Sequence, residues 1–352
     1  MTERVLSLRE LNRATLARQL LLGRRRMSVP RAIERLAGLQ AQWPPSPYVA
    51  LWSRLEGFER EHLTRALRRG QVVKATAMRI TLHLLSAGDY ALFAGALKAP
   101  WVAQLTRRME RMGPEVDIPA LVEQARALMA DGPRSRSEVL ELFGSSGQEQ
   151  PWFIWTLVQV ELGLVRAPES AVWRRTLGPV KYIPAQSLIG RSPATGPQAL
   201  VHLVRRYLSA FGPASTADLA QWSGLPVSTL QPGLEQVEPL RRFRDERGRE
   251  LLDLPRQALP SGDIPAPVRF LAHWDSSLLA YDRRERILPE GYRKAVIKRN
   301  GDVLPTFLVD GFVAGTWQEQ DGRVALEPFE PIPRRFRREL ETEARALEAL
   351  HA

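Results

Sequence analysis

Cysteine is missing from all 352 residues. Its absence excludes disulfides, thiolate nucleophiles, cysteine-ligated zinc and cysteine-held iron–sulfur clusters together. Histidine is scarce: His62, His83, His202, His273 and His351 are scattered, with no His-Glu-x-x-His pair. That scatter disfavours a metal enzyme, although it leaves a carboxylate-bound Mg²⁺ open. Lysine occupies only positions 74, 98, 181, 294 and 298, so nearly all of the 50 basic residues are arginine. No stretch reaches the roughly 18 uncharged apolar residues that cross a bilayer. The opening Met1-Thr-Glu-Arg-Val leads into a helical pattern and not into the apolar core of a signal peptide. A soluble, cytoplasmic protein is expected, with no membrane partner.

The charge that is present is one-sided. A formal net charge of +11 and an isoelectric point near 10.5 point to a polyanionic partner. Guanidinium forks suit phosphates and guanine edges, which favours nucleic acid. A GC-rich genome explains the choice of arginine equally well, but not the excess over acids. Clusters at 24–26, 68–69, 107–108, 174–175, 241–249, 283–299 and 334–338 are candidate phosphate contacts. At about 150 residues per domain, the chain holds two to three cores.

One segment is duplicated 80 positions apart. Gly132-Pro133-Arg134-Ser135-Arg136-Ser137-Glu138-Val139 aligns with Gly212-Pro213-Ala214-Ser215-Thr216-Ala217-Asp218-Leu219. Each copy reads as a turn and a capped helix: Ser135 or Ser215 accepts first-turn N–H groups, and Glu138 or Asp218 completes a capping box three residues on. Gly144 and Gly224 then stop the helices. A second helical stretch follows each, over 152–165 and 227–237. Two strands come next: Val165-Arg166 with Trp173-Arg174-Arg175 in one copy, and 241–253 around Asp245-Glu246-Arg247-Gly248 in the other. Helices followed by a basic hairpin are the winged helix-turn-helix plan. A fainter third copy fills the first 95 residues. It has helices over 6–22, from Ser28 to about Gln40, and over 59–69, then strands over 71–77 and 79–85.

Beyond Pro260 the texture turns to short strand-like runs at 268–271, 295–298, 303–309, 313–317 and 323–326, with Asp310-Gly311 as a hairpin turn. They suggest a small β-barrel closed by a basic amphipathic helix over 334–351. The expected fold is α+β: three tandem winged helices over 1–115, 116–192 and 193–260, then a barrel-like unit over 261–352.

Gly38-Leu39-Gln40-Ala41-Gln42-Trp43-Pro44-Pro45 is the most informative segment. Two glutamines one residue apart run into a rigid proline turn, and alternate extended residues point the same way. On the residues alone, these are most simply polar side chains at a helix end. Leu39-Gln40-Ala41-Gln42, followed by Arg79-Ile80-Thr81-Leu82-His83-Leu84, nevertheless resembles the AlkZ-like DNA glycosylase family. So do Gly212-Pro213 with Asp218 and Trp222-Ser223-Gly224, the run His273-Trp274-Asp275 to Leu279 with Asp282-Arg283, and Val309-Asp310-Gly311 with Gly315-Thr316-Trp317. The resemblance spans about residues 5–348. It departs at Ile80, where many relatives carry glycine, and at His273-Trp274.

That resemblance implies three winged helices around a concave DNA face and hydrolysis of the N-glycosidic bond of N7-alkylated purines, crosslinks included. Gln40 and Gln42 inherit the catalytic role. Chemistry is compatible with a site lacking a carboxylate. A neutral amide is no general base, but an N7-alkylguanine already carries positive charge and leaves as a neutral base. Orienting one water is then worth up to several kcal/mol. Arg79, Thr81 and His83 alternate on one strand face, where they would line a lesion pocket, contact the backbone, or simply form the strand's polar side. Trp43 and Tyr48 would stack on a base or belong to the core. Asp275, Asp282 and Arg283 are candidates for a structural ion pair, and Arg283 for a DNA contact. The implied partner is duplex DNA carrying alkylated purines, met by a monomer with no metal and no organic cofactor. The competing reading is a winged-helix transcriptional regulator without enzymatic activity, which would have no need of paired glutamines at a proline-locked turn.

Overall fold

In the computed structural model, residues 3–111, 117–144, 151–173, 178–194 and 196–352 are described. Two of the arginines counted above, Arg174 and Arg175, lie outside them.

The first strand, β1 (Val5–Leu6), precedes the helix Leu8–Arg18, whose start is fixed by a capping box of Ser7 with Glu10. The next helix, Val29–Arg35, ends earlier than the sequence suggests. Ala37 and Gly38 take φ of 55° and 90°, which no helix tolerates, so the chain emerges extended as β2 (Leu39–Gln40). Gln40 therefore sits in a strand and not at a helix end. β3 (Val72–Ala77) and β4 (Thr81–Ser86) form the expected hairpin, and β2 pairs with β4, placing Leu39 opposite Leu84 and Gln40 opposite His83.

The sheet does not stop at the expected boundary near residue 115. β5 (Arg134–Ser135), β6 (Leu164–Arg166) and β7 (Lys181–Pro184) extend it to six strands, in the order β2-β4-β3-β6-β7-β5, joined through Ala75 opposite Val165. The partner of β6 is thus β7. Trp173 lies in a bend, after a 3-10 turn over Pro168–Ser170, and not in a strand.

Both predicted capping boxes form. Ser135 and Ser215 have the same backbone angles (φ −83°, ψ 165°), accept from Glu138 N and Asp218 N, and have their own N–H groups bound by those carboxylates. The second copy continues as Thr216–Ser223, stopped by left-handed Gly224, then Val227–Glu235 and the hairpin of β8 (Arg241–Asp245) and β9 (Glu250–Asp253). β1 adds to this hairpin in parallel.

The last quarter forms an open antiparallel sheet of four strands, β10 (Arg269–Leu271), β11 (Thr306–Val309), β12 (Phe312–Gln320) and β13 (Arg323–Pro328). It does not close into the expected barrel: its outer strands, β10 and β13, are not paired with each other. The helix Arg334–His351 packs against it with Leu340, Ala344, Leu347 and Leu350 buried. Asp310 and Gly311 take positive φ at the β11–β12 turn, as the hairpin signal requires. Residues expected as a strand at 295–298 instead begin in a short helix, Arg293–Val296, with only Ile297 bridging to Val303.

Buried arginines tie these units together. Arg18 meets Asp253 through two bonds of 2.7 and 2.8 Å, and Arg54 meets Asp275 through two of 2.9 and 2.8 Å. All four side chains are almost completely buried. Among the described residues no helix is long and apolar enough to cross a membrane.

Candidate active site

The site is built on the edge strand β2. Ala41 N donates to Leu82 O at 2.7 Å, so the ladder continues one residue past Gln40 before the chain turns away at Gln42. The bend nevertheless leaves the side chains of residues 40 and 42 facing each other. Pro44 and Pro45 then lead into the helix Ser46–Trp52. Gln40 is buried and Gln42 exposed, and the two amides are hydrogen-bonded, Gln40 Nε2 to Gln42 Oε1.

Arg79 fixes the orientation of this pair. Its Nη2 donates to Gln40 Oε1 at 2.7 Å and its Nη1 to the Trp222 carbonyl at 2.5 Å. A guanidinium only donates, so the oxygen of Gln40 must face it and the NH₂ must face Gln42. Alternation places Arg79 on the strand beside Thr81 and His83, and the structure does not. Arg79 lies in the 3-10 turn Met78–Ile80 that joins β3 to β4, where it and Ile80 both have φ of 56°. A branched side chain at positive φ is strained, so Ile80 is a strained position in this turn.

Of the other expected site residues, His83 is buried directly across from Gln40, and its Nδ1 lies 2.9 Å from Thr81 O. Burial, and then the charge of Arg79, pushes its pKa down to about 3. It is therefore a neutral ring at ordinary pH. Thr81 turns its hydroxyl back to Met78 O at 3.0 Å, closing the turn. Burial, with Arg284 nearby, lowers Arg79 to about 10, so it stays charged near neutrality. Trp43 is 54 % exposed and forms one wall of a hollow of about 440 Å³ with His273, Trp173 and Trp317. The core reading fails for Trp43 and holds for Tyr48. Tyr48 is 1 % exposed, and its hydroxyl meets Thr64 Oγ1 and accepts from Trp173 N, so it is not free to stack on a base.

The expected ion pair within Asp275, Asp282 and Arg283 does not form. Asp275 instead holds Arg54, Asp282 N donates to Asp218 Oδ1 at 2.9 Å, and Arg283 is exposed beside the β8–β9 turn with no ion-pair partner among the described residues. Arginines of the β8–β9 hairpin are also more occupied than a basic wing suggests: Arg242, Arg244, Arg247 and Arg249 each face a carboxylate. Sequence reasoning missed Trp222 and Gly224 as parts of the site. A Cβ on Gly224 would lie 2.8 Å from Arg79 Cα, and its φ is 77°. The run Trp222-Ser223-Gly224 was visible, but nothing in the sequence shows that its carbonyl reaches across to Arg79. From Arg79 a cleft of about 760 Å³ runs between the helix Ala87–Glu110 and the segment 217–229, with Arg107 on its wall.

The model of the family described as DNA glycosylase AlkZ-like matches residues 33–350. The chain belongs to the AlkZ-like family. It is similar, at 27 % identity over 93 % of its length and 92 % of the relative's, to a protein of Streptomyces sahachiroi named interstrand DNA cross-link repair glycosylase. Among solved structures it matches the DNA glycosylase AlkZ of the same organism, with a TM-score of 0.82, 21 % identity, and 99 % and 98 % of the two chains covered. The glutamine pair with its guanidinium clamp thus stands in a chain of AlkZ-like sequence and fold.

Proposed function

We propose that this protein is a monofunctional DNA glycosylase that hydrolyses the N-glycosidic bond of N7-alkylated purines in duplex DNA, bulky or crosslinked ones included. Gln40 and Gln42 hold the attacking water. The observation that carries the reading is the orientation of the amide pair. With Gln40 Oε1 turned to Arg79 and Gln40 Nε2 spent on Gln42, each Oε1 keeps a second lone pair and Gln42 Nε2 keeps its protons. Two acceptors one residue apart can take both protons of a single water and aim its oxygen lone pair outward. As the bond to the cationic base lengthens, the sugar gains oxocarbenium character and that water adds to C1′. Its proton passes to solvent, and the products are a neutral base and an abasic site. Gln42 is open to the surface, which suits a lesion too large to be swallowed by a closed pocket.

The helix-helix-hairpin order of residues 197–253 supports winged-helix docking on the duplex, with the cleft beside Arg79 and Arg107 as the DNA face. The test is release of free 7-methylguanine from alkylated duplex, read by mass spectrometry with EDTA present. Wild type releases base, Gln40→Ala and Gln42→Ala slow release by roughly 10–10³-fold, and the double variant is no slower than the worse single one by more than a small factor, since the pair acts as a unit. Near wild-type release by the double variant sinks the proposal. Tight, sequence-selective binding without released base would instead favour a regulator.

A further inference from the structure

Among the described residues, Arg79 is the charged group hydrogen-bonded to the glutamine pair, and neither of its bonds goes to a carboxylate. Two neutral carbonyls hold it: Gln40 Oε1 at 2.7 Å and Trp222 O at 2.5 Å. The second is a main-chain atom of the helix Thr216–Ser223, 143 residues away in sequence. Behind the guanidinium, the Arg79 backbone packs on Gly224 so closely that an added Cβ would lie 2.8 Å from its Cα and 3.0 Å from its N. Trp222 itself is locked among Phe93, Tyr207 and Phe211. The anchor is therefore rigid, and it belongs to a different unit from the glutamines.

We propose that Arg79 is a positioning residue for the hydrolysis, acting through Gln40, and that the Trp222–Gly224 helix end is the fixed point against which the water-holding amides are set. This rests on the glutamine reading above. Three physical points support it. A planar fork meets two separate carbonyls at once, which an ammonium on a flexible stem does not reproduce. Donation to Gln40 Oε1 forbids the flipped amide, in which Gln40 would offer NH₂ where the water must donate. A charged donor on that oxygen also polarises the Gln40 amide and strengthens its bond to Gln42 Oε1, as in other hydrogen-bonded chains. Arg79 is thereby removed from the set of phosphate contacts: both of its terminal nitrogens are engaged inside the protein.

Single-turnover release of 7-methylguanine, DNA affinity and its salt dependence are measured together. Arg79→Lys lowers the release rate by roughly 10²-fold, the scale of a displacement of about 1 Å at a reacting group. The dissociation constant for DNA and its log–log salt slope stay at wild-type values. Arg79→Ala behaves likewise and regains rate when methylguanidinium is added, which a merely unfolded or repacked variant would not do. Gly224→Ala keeps every charge yet pushes on Arg79, and slows release with unchanged affinity; if that variant fails to fold, the rescue of Arg79→Ala still decides. Wild-type release by Arg79→Lys overturns the proposal. So does a salt slope shallower by about 0.9 with the rate intact, the mark of a lost phosphate contact. Inactive glutamine variants beside fully active Arg79 variants overturn the positioning role alone; full activity in both sets removes the reading beneath it.

Discussion

Replacing Asp275 by alanine is expected to cost this protein more than any surface change, and the structure gives the amount. Arg54 spends every guanidinium nitrogen inside the protein. Nε reaches Gln19 O at 3.0 Å, Nη1 reaches Ala50 O at 3.0 Å and Asp275 Oδ2 at 2.9 Å, and Nη2 reaches Asp275 Oδ1 at 2.8 Å and Ser277 Oγ at 3.2 Å. Side-chain exposure is 0 % for Arg54 and 1 % for Asp275. Removing one partner of such a pair strands a charge that water cannot reach, typically at a cost of about 3–5 kcal/mol. Asp275 Oδ1 also caps the helix Ser276–Leu279 by accepting from Ser277 N, and a lost cap costs about 0.5–2 kcal/mol. The two losses share one oxygen, so they do not simply add, and a loss of about 4–5 kcal/mol is expected from Asp275→Ala. Asp275→Asn keeps the cap, and joining it to Arg54→Leu removes the charge as well. That double variant should recover at least 2 kcal/mol relative to the sum of the single changes. Urea denaturation followed by tryptophan fluorescence, with the variants run as a double-mutant cycle, measures it. A loss below about 1 kcal/mol for Asp275→Ala would show that the pair is solvated or replaceable, and would refute the reasoning.

Two other expectations concern pH and DNA. His83 has its pKa lowered to about 3 against an ordinary 6.5, so the unfolded chain takes up the proton first. Its contribution is complete above about pH 6.5 and is lost as pH falls toward 3, about 1 kcal/mol of it between pH 6 and 5. A His83→Gln variant should lack that part of the acid slope, and equal slopes in the two proteins would show that the ring titrates freely. Arg283 is exposed and unpaired among the described residues, so Arg283→Ala should weaken DNA binding and make the log–log salt slope shallower by about 0.9 while the release rate at saturating enzyme is kept. An unchanged slope would place Arg283 off the duplex.

Local signals were legible in the sequence wherever a few adjacent residues settle the geometry. Ser135 with Glu138, Ser215 with Asp218, Asp310-Gly311, and the closing helix at Arg334–His351 all formed as read. Three things were not legible, each because a distant partner decides it. Gln40 became a strand residue because left-handed Ala37 and Gly38 end the helix and β4 offers a free edge. The barrel stayed open because closure depends on how the outer strands meet, which alternation does not encode. The arginines defeated any estimate from composition, since Arg13, Arg18, Arg54 and Arg286 are buried structural members. At the candidate site, Gln40 and Gln42 were singled out by resemblance. Their clamp was assigned the wrong place, because period-two spacing put Arg79 on a strand face when it lies in a strained turn.

The helix Leu8–Arg18 has a consequence for how the molecule is made. Asn12 Nδ2 donates to Arg286 O and Gly311 O, Arg13 Nε to Ile264 O, and Arg18 clasps Asp253. Each of those acceptors lies at least 235 positions downstream. This helix is thus seated late: it must wait, apolar side uncovered, until residue 311 has been translated. A chaperone that shields this nascent segment would be guarding the axle on which the finished protein is mounted.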